Sequence, residues 1–92
     1  MREIPSDLPG AEWIRAGLMD LSQGRETEAA LLVSIGASRL RDAGLEVPPG
    51  LPDPEHSLYR LLSRKHGDDA HPQYNALIRT LVSFERALEC VT

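Results

Sequence analysis

The stretch TEAALLVSIGASRLRDAGL, residues 27–45, constrains the fold most, because its first half has almost no polar face. Residues 29–33 are all apolar, and Ile35, Ala37 and Leu40 continue the apolar pattern at helical spacing. A helix that is apolar nearly all round must be covered by neighbours on several sides. The pattern therefore predicts a central helix with other elements packed around it.

Three further segments have the spacing of amphipathic helices, and nowhere does the sequence show the two-residue alternation of a β-strand. A chain of 92 residues is long enough for one domain with its own core. We therefore predict a single all-α domain over residues 1–92. It would be a compact four-helix domain with an N-terminal helical hairpin, a Pro-rich crossover and a long C-terminal helix. The predicted helices cover residues 9–23, 27–43, 54–66 and 70–89.

Glycine, proline and capping residues mark the breaks between these helices. Gly24 follows the first helix, where a left-handed conformation suits glycine, and Thr27 is placed to cap the second helix. The segment LEVPPGLPDPEH, residues 45–56, contains four prolines and a glycine, which favour a stiff crossover. Asp53 is placed to cap the third helix, with Pro54 at the first helical position.

The apolar stripes of the helices predict the core. On the first helix, Trp13 falls on the same face as Ile14 and Leu21. The middle of the second helix, SIGAS at residues 34–38, is unusually small, and a glycine such as Gly36 inside a helix costs about 1 kcal/mol relative to alanine. This stretch indicates either close helix–helix packing or the floor of a pocket for a small ligand. The predicted core residues are Leu32, Ile35, Leu40, Leu61, Leu77, Leu81 and Phe84.

Composition argues against several classes of function. The net charge is −4, whereas affinity for a phosphate backbone comes from clustered Lys and Arg, so nucleic acid is not an expected partner. The one cysteine, Cys90, cannot form an internal disulfide, which suits a reducing cytoplasm. No apolar run approaches a membrane span, and the first residues lack the apolar stretch of a signal peptide. The strong preference for arginine over lysine is typical of GC-rich bacterial genomes, so we predict a cytoplasmic bacterial protein.

The densest group of reactive side chains lies in the sequence HGDDAHPQYN. Its candidate metal ligands are His66, Asp68, Asp69 and His71. These residue types suit zinc or another transition metal, but their spacing matches no established site. The aspartates also lie where carboxylates satisfy free N–H groups of a following helix, and Pro72 fits that helix's first turn. We favour helix capping over a metal site, and we assign no metal, no cofactor and no catalytic residue.

The fourth predicted helix carries a polar stripe beside its apolar one. Asn75, Arg79 and Arg86 recur at helical spacing, and Val82 lies near the middle of the same surface. These four residues are the candidates for binding a partner or ligand. The third helix adds a short basic stripe, formed by His56, Arg60 and Arg64, with Tyr59 beside it.

Glu85 falls between Leu81 and Leu88 on the apolar side of the fourth helix. A carboxylate in that position needs a cationic partner, because an unpaired buried charge is very costly. Arg39 continues the Leu32 face of the second helix and is the predicted partner, with its side chain pointing inward.

These features predict a small protein–protein interaction or accessory module rather than an enzyme. One alternative is a metal- or ligand-dependent enzyme that uses residues 66–71, and another is a transcriptional regulator. We also predict a homodimer, because four short helices offer limited cover for the central helix, and because Met19, Val82 and Val91 lie off the core faces. The dimer face would be the fourth helix, with Val82 near its middle.

Overall fold

A computed structural model describes residues 7–91 of the chain. Its helices are α1 (Ala11–Ser22), α2 (Glu28–Ile35), α3 (Ala37–Asp42), α4 (Pro54–His66) and α5 (Ala70–Cys90), with a 3₁₀ turn at Gly67–Asp69. The described residues contain no β-strand, and their helices pack into a globule with a radius of gyration of 12.6 Å. The prediction of a compact all-α protein is therefore confirmed.

Helix α2 is central, as its sequence predicts. It contacts α1 on one side and α4 on another, and it also touches α5. Leu31, Leu32 and Val33 are fully buried. Burying one such side chain completely stabilises a fold by about 1.5–3 kcal/mol, so this short helix anchors the core. One chain is sufficient to cover it, which removes the main premise from which the homodimer was predicted.

The α1–α2 hairpin is closed by a cap at the start of α2. The Oγ1 of Thr27 accepts a hydrogen bond from the backbone N–H of Ala30 at 3.1 Å and donates one to Oδ2 of Asp20 at 2.6 Å. Gly24 in the intervening turn has φ +72°, the left-handed conformation predicted for it. The predicted cap and turn are both confirmed, and together they fix the angle at which the chain enters α2.

The two helices of this hairpin meet at Gly17. A Cβ atom at this position would overlap the carbonyl oxygen of Ala29 and a methyl group of Val33. The buried line on α1 consists of Ala11, Ile14, Gly17 and Leu21. Trp13, which helical spacing placed on the same face as Ile14 and Leu21, lies on the flank of this line and is 38% exposed.

The single helix predicted over residues 27–43 is interrupted at Gly36, which separates α2 from α3. Gly36 has φ −94° and ψ 9°, outside the helical range, while Leu40 N–H still donates to its carbonyl oxygen at 2.9 Å. The side chains of Leu81 and Glu85 fill the space where a Cβ of Gly36 would lie. The small residues therefore serve close packing, one of the two roles predicted for them.

The Pro-rich crossover between α3 and α4 is held by two side chains from the helices that precede it. Ser34 accepts a hydrogen bond from the backbone N–H of Leu51 at 3.0 Å. Arg41 donates to the carbonyl oxygens of Val47 and Pro48 at distances of 3.0–3.3 Å. The crossover is thereby tied back to α2 and α3 instead of looping freely.

Several local predictions need correction. Ile35 and Leu61 pack against the core but are only half-buried, because each lies at the edge of its helix's buried stripe. Asp53 makes no capping hydrogen bond through its side chain, since it adopts a left-handed conformation with φ 46°. Asp69 precedes α5 without a side-chain cap, because Gly67–Asp69 forms a 3₁₀ turn that continues directly into the helix.

Candidate functional site

The residues considered as metal ligands do not form a cluster. His66, Asp68, Asp69 and His71 are all exposed to solvent. Among residues 7–91, no group of three or more His, Cys, Asp or Glu side chains is arranged to hold a metal ion. Gly67, with φ 57° and ψ −121°, turns the chain between α4 and α5, and the four side chains around this turn extend into solvent without converging on one point.

One of these histidines instead joins an aromatic cluster. Tyr59 on α4 makes an edge-to-face contact with Tyr74 on α5, with ring centroids 5.7 Å apart, and a similar one with His71 at 6.4 Å. Such aromatic pairs contribute about 0.5–1.5 kcal/mol beyond the area they bury. Tyr59 nevertheless remains 40% exposed, so one side of the cluster faces solvent.

Tyr74 is the more sheltered ring of this cluster. Partial burial, and to a lesser degree the nearby carboxylate of Glu55, raises the pKa of its phenol above the ordinary value of 10.0. Its hydroxyl therefore stays protonated at physiological pH and can donate a hydrogen bond. The cluster thus offers apolar ring surface together with a polar donor at its margin.

The predicted partner-binding residues lie on α5 beside this cluster. Asn75, Arg79 and Arg86 are exposed, and Val82 is half-buried. Tyr74, Ile78 and Val82 follow each other at four-residue spacing, so they form one ridge along the helix. We call the surface that joins the aromatic cluster to this ridge and its arginines the α4–α5 face. Its residues are Tyr59, His71, Tyr74, Asn75, Ile78, Arg79, Val82 and Arg86.

The arginines of the α4–α5 face differ from several other cations in the chain because no carboxylate of the described residues lies within ion-pair distance of them. Several cations elsewhere are engaged: Arg25 pairs with Asp20, Lys65 with Glu28, and Arg41 with backbone carbonyls. Arg79 and Arg86 make no ion pair within 4.0 Å to any residue of the described range, although Arg86 lies close enough to Glu89 to help lower the pKa of that carboxyl. This surface is therefore locally cationic on a chain whose net charge is −4.

A three-residue ion cluster lies at the contact between α3 and α5. Arg39 donates to both carboxylate oxygens of Glu89, at 2.9 Å from Nε and 2.8 Å from Nη2. Its Nη1 is 3.5 Å from Oε1 of Glu85. The predicted pair of Arg39 and Glu85 is confirmed, but the inward orientation of Arg39 is wrong: its side chain is 45% exposed, whereas that of Glu85 is 5% exposed.

The pKa values of the two carboxylates in this cluster are shifted in opposite directions by their surroundings. Burial raises the pKa of Glu85, and the attraction of Arg39 offsets only part of this effect. The hydrogen bonds from Arg39 hold the pKa of Glu89 below its ordinary value. Arg39 therefore pairs mainly with the exposed carboxylate, which leaves the buried one partly uncompensated.

The surface around Trp13 was not predicted from the sequence. Two surface depressions adjoin its indole, with volumes of about 340 and 290 Å³. The described residues lining the first are Leu8, Gly10, Ala11, Glu12, Trp13 and Thr80, and those lining the second are Glu12, Trp13, Ala16 and Ala29. The apolar spacing of α1 did not reveal this, because the residues that α2 buries are Ala11, Ile14, Gly17 and Leu21, and Trp13 lies to one side of them.

Comparison of the chain with protein-family models, with curated proteins and with solved structures finds no match. No helix in the described part of the chain combines the length and apolar character needed to cross a membrane. Within residues 7–91, exposed aromatic rings occur next to charged groups at the α4–α5 face and around Trp13.

Proposed function

We propose that this protein is a small cytoplasmic binding module that acts on another protein through the α4–α5 face and carries no catalytic chemistry of its own. The observation that carries the proposal is the exposed Tyr59, packed edge-to-face on Tyr74, on the same face as Arg79 and Arg86, which make no ion pair within 4.0 Å in the described part of the chain. Tyr, Trp and Arg are the residues most enriched among those that dominate binding energy at protein interfaces.

The charges of this face indicate the character of the partner. An acidic surface would complement Arg79 and Arg86 on α5. Charge complementarity of this kind accelerates association and selects against wrong partners more than it adds affinity. The affinity would come from the tyrosine cluster and the ridge at Ile78 and Val82, where apolar surface is removed from water.

A comparison of captured partners tests this proposal. The immobilised protein and two variants, Tyr59→Ala and Arg79→Glu, are exposed to lysate of the native host, and bound proteins are quantified by mass spectrometry. A partner of this face should be depleted about tenfold or more with Tyr59→Ala, since interface hot spots cost about 2 kcal/mol or more.

The matched control is Arg25→Glu, the same charge reversal at a surface pair in the α1–α2 turn. Only the arginine of this pair is exposed, at 56% against 15% for Asp20, so circular dichroism must first show that the control is folded. The folded control should retain the partner. Equal depletion by Arg25→Glu and Arg79→Glu, or full retention by Tyr59→Ala, would contradict a role for the α4–α5 face.

A second copy of the chain is the other partner we propose for this face. The support is Val82, half-buried in the middle of α5, with Arg79 and Arg86 on either side as a polar rim. Light scattering at micromolar concentration decides between the states, because a monomer has a mass of 10.1 kDa. In a dimer, Val82→Glu should halve the measured mass while the far-UV circular dichroism keeps its helical form.

Calorimetry tests the alternative hypothesis of a metal-dependent enzyme. Calorimetric titration with zinc, manganese or nickel would have to show tight stoichiometric binding that is lost in His71→Ala. The transcriptional-regulator hypothesis would require DNA binding that weakens steeply with salt, because such affinity depends on neutralised phosphates. A binding module of the kind proposed should give neither result.

A further inference from the structure

Trp13 and its surroundings form a second surface, separate from the α4–α5 face. The indole is 38% exposed, and Met19 on the same helix is 56% exposed. Tryptophan is the residue with the largest apolar surface to bury, so a fold that leaves it at the surface forgoes stability there. Depressions beside the ring give a partner side chain a place to enter.

Glu12 sets the chemistry of this surface. Its carboxylate lines both depressions, and no basic side chain is among the described residues that line either one. Glu12 makes no ion pair within the described part of the chain. A ring face beside an unpaired carboxylate is suited to a cation: the ring attracts positive charge through its quadrupole, and the carboxylate supplies the opposite charge.

We infer that the second depression binds an arginine side chain from a basic segment of a partner protein, stacked on the indole of Trp13 and paired with Glu12. Arginine fits better than lysine, because its planar guanidinium can stack on the ring and donate two parallel hydrogen bonds to a carboxylate. The small side chains of Ala16 and Ala29 leave room for the guanidinium between α1 and α2.

The position along α1 distinguishes the two depressions. The first adjoins Gly10 and Ala11, at the helix N-terminus, where the helix dipole is positive and opposes a bound cation. The second shares Glu12 and Trp13 with the first but extends along the helix to Ala16 and across to Ala29 of α2, away from the first backbone N–H groups of α1. The second depression is therefore the binding site for the cation.

The protein itself supplies the probe, because Trp13 is its one tryptophan. A capped peptide of alternating leucine and arginine is titrated into the full chain, with lysine and glutamate versions for comparison, while tryptophan emission is recorded. The arginine peptide should give a saturable change in emission, the lysine peptide should bind about threefold or more weakly, and the glutamate peptide should give no change.

Three variants locate the site. Glu12→Gln should weaken binding of the arginine peptide about threefold or more, whereas Glu46→Gln removes the same charge from the distant crossover and should not. Ala16→Leu keeps the charge but fills the second depression, so it should abolish the emission change. Circular dichroism confirms that each variant is folded.

Four results would each overturn the inference. These are an unchanged emission with the arginine peptide, equal binding of the lysine peptide, equal weakening by Glu12→Gln and Glu46→Gln, and undiminished binding to folded Ala16→Leu. None of them bears on the α4–α5 face, whose residues are intact in every protein used.

Discussion

Two glycines bring helices into close contact in this protein, and they meet different kinds of neighbour. At Gly17, a Cβ would collide with the backbone carbonyl of Ala29 and with a methyl of Val33. At Gly36, a Cβ would lie 2.7 Å from Oε2 of Glu85 and 2.9 Å from a terminal carbon of Leu81. The first contact is against a helix backbone, and the second is against the ends of side chains.

This difference determines how far each contact can adjust when an atom is added to it. A helix backbone moves only if the whole helix moves, and well-packed interiors transmit such strain. The end of a side chain can shift by a small rotation about its own bonds. The α1–α2 contact should therefore be rigid and specific, whereas the α3–α5 contact should tolerate change.

The largest effect should come from Gly17→Ala. The added methyl forces α1 away from α2, and we expect a loss of about 3 kcal/mol or more in the free energy of unfolding, measured by urea denaturation. The control is Gly24→Ala, which meets no atom within 4 Å but must adopt a positive φ, and should cost about 1–2 kcal/mol. A loss at Gly17 no larger than that at Gly24 would show that α1 and α2 can move apart at little cost, which would contradict a rigid contact.

A smaller effect should come from Thr27→Ala, which tests how much the cap of α2 adds to the α1–α2 contact. This change removes the hydroxyl that caps α2 and binds Asp20 of α1. We expect a loss of about 1–2 kcal/mol in unfolding free energy. Thr27→Ser keeps the hydroxyl and should recover most of that loss, so a serine variant as unstable as the alanine one would contradict the capping role.

Gly36→Ala should change stability by less than about 1 kcal/mol. The methyl crowds Leu81 and Glu85, but alanine favours helix by about 1 kcal/mol over glycine, and φ is negative at this position. The two effects oppose each other. Thermal unfolding measures the sum of these two effects. A loss of stability as large as that of Gly17→Ala would contradict the distinction between the two contacts.

The smallest effect should be a pH dependence at the α3–α5 contact. Because the pKa of Glu85 is raised by burial, the folded protein holds this proton more tightly than the unfolded chain does. Its contribution to stability is therefore greatest below the ordinary value of 4.5 and is lost as pH rises through the folded pKa. Glu85→Gln does not titrate, so its melting temperature should rise relative to wild type between pH 4 and pH 7.

The exposed Glu46→Gln is the control for this pH comparison, and its difference from wild type should show no such rise. A melting-temperature difference between Glu85→Gln and wild type that is constant, or that falls as pH increases, would contradict an unfavourable buried charge at Glu85.

Much of the fold could be predicted because it depends on interactions between residues that are close together in the sequence. The central helix, the Thr27 cap and the left-handed Gly24 each follow from a few neighbouring residues. The interruption at Gly36 was not predicted, and the packing of Leu81 and Glu85 against this glycine involves a distant part of the chain that the local pattern does not reveal.

The candidate surfaces were harder to predict, for the same reason. Helical spacing placed Arg79 and Arg86 on one exposed face of α5, but the contact between Tyr59 and Tyr74 depends on how α4 and α5 pack. Helical spacing placed Trp13 on the same face as Ile14 and Leu21, but the buried residues of α1 are Ala11, Ile14, Gly17 and Leu21. Which part of an apolar face is covered depends on where α2 packs, and the spacing within α1 does not give this.

The crossover has a consequence for encounters between copies of the protein. Residues 45–51 form an irregular segment, and the unpaired backbone of such a segment is where a neighbouring chain could add a β-strand and start aggregation. Prolines at 48, 49 and 52 have no N–H to offer, and the N–H of Leu51 is already bound by Ser34. Arg41 occupies two of the carbonyl groups. The segment that joins the helices is thus also protected against intermolecular strand pairing.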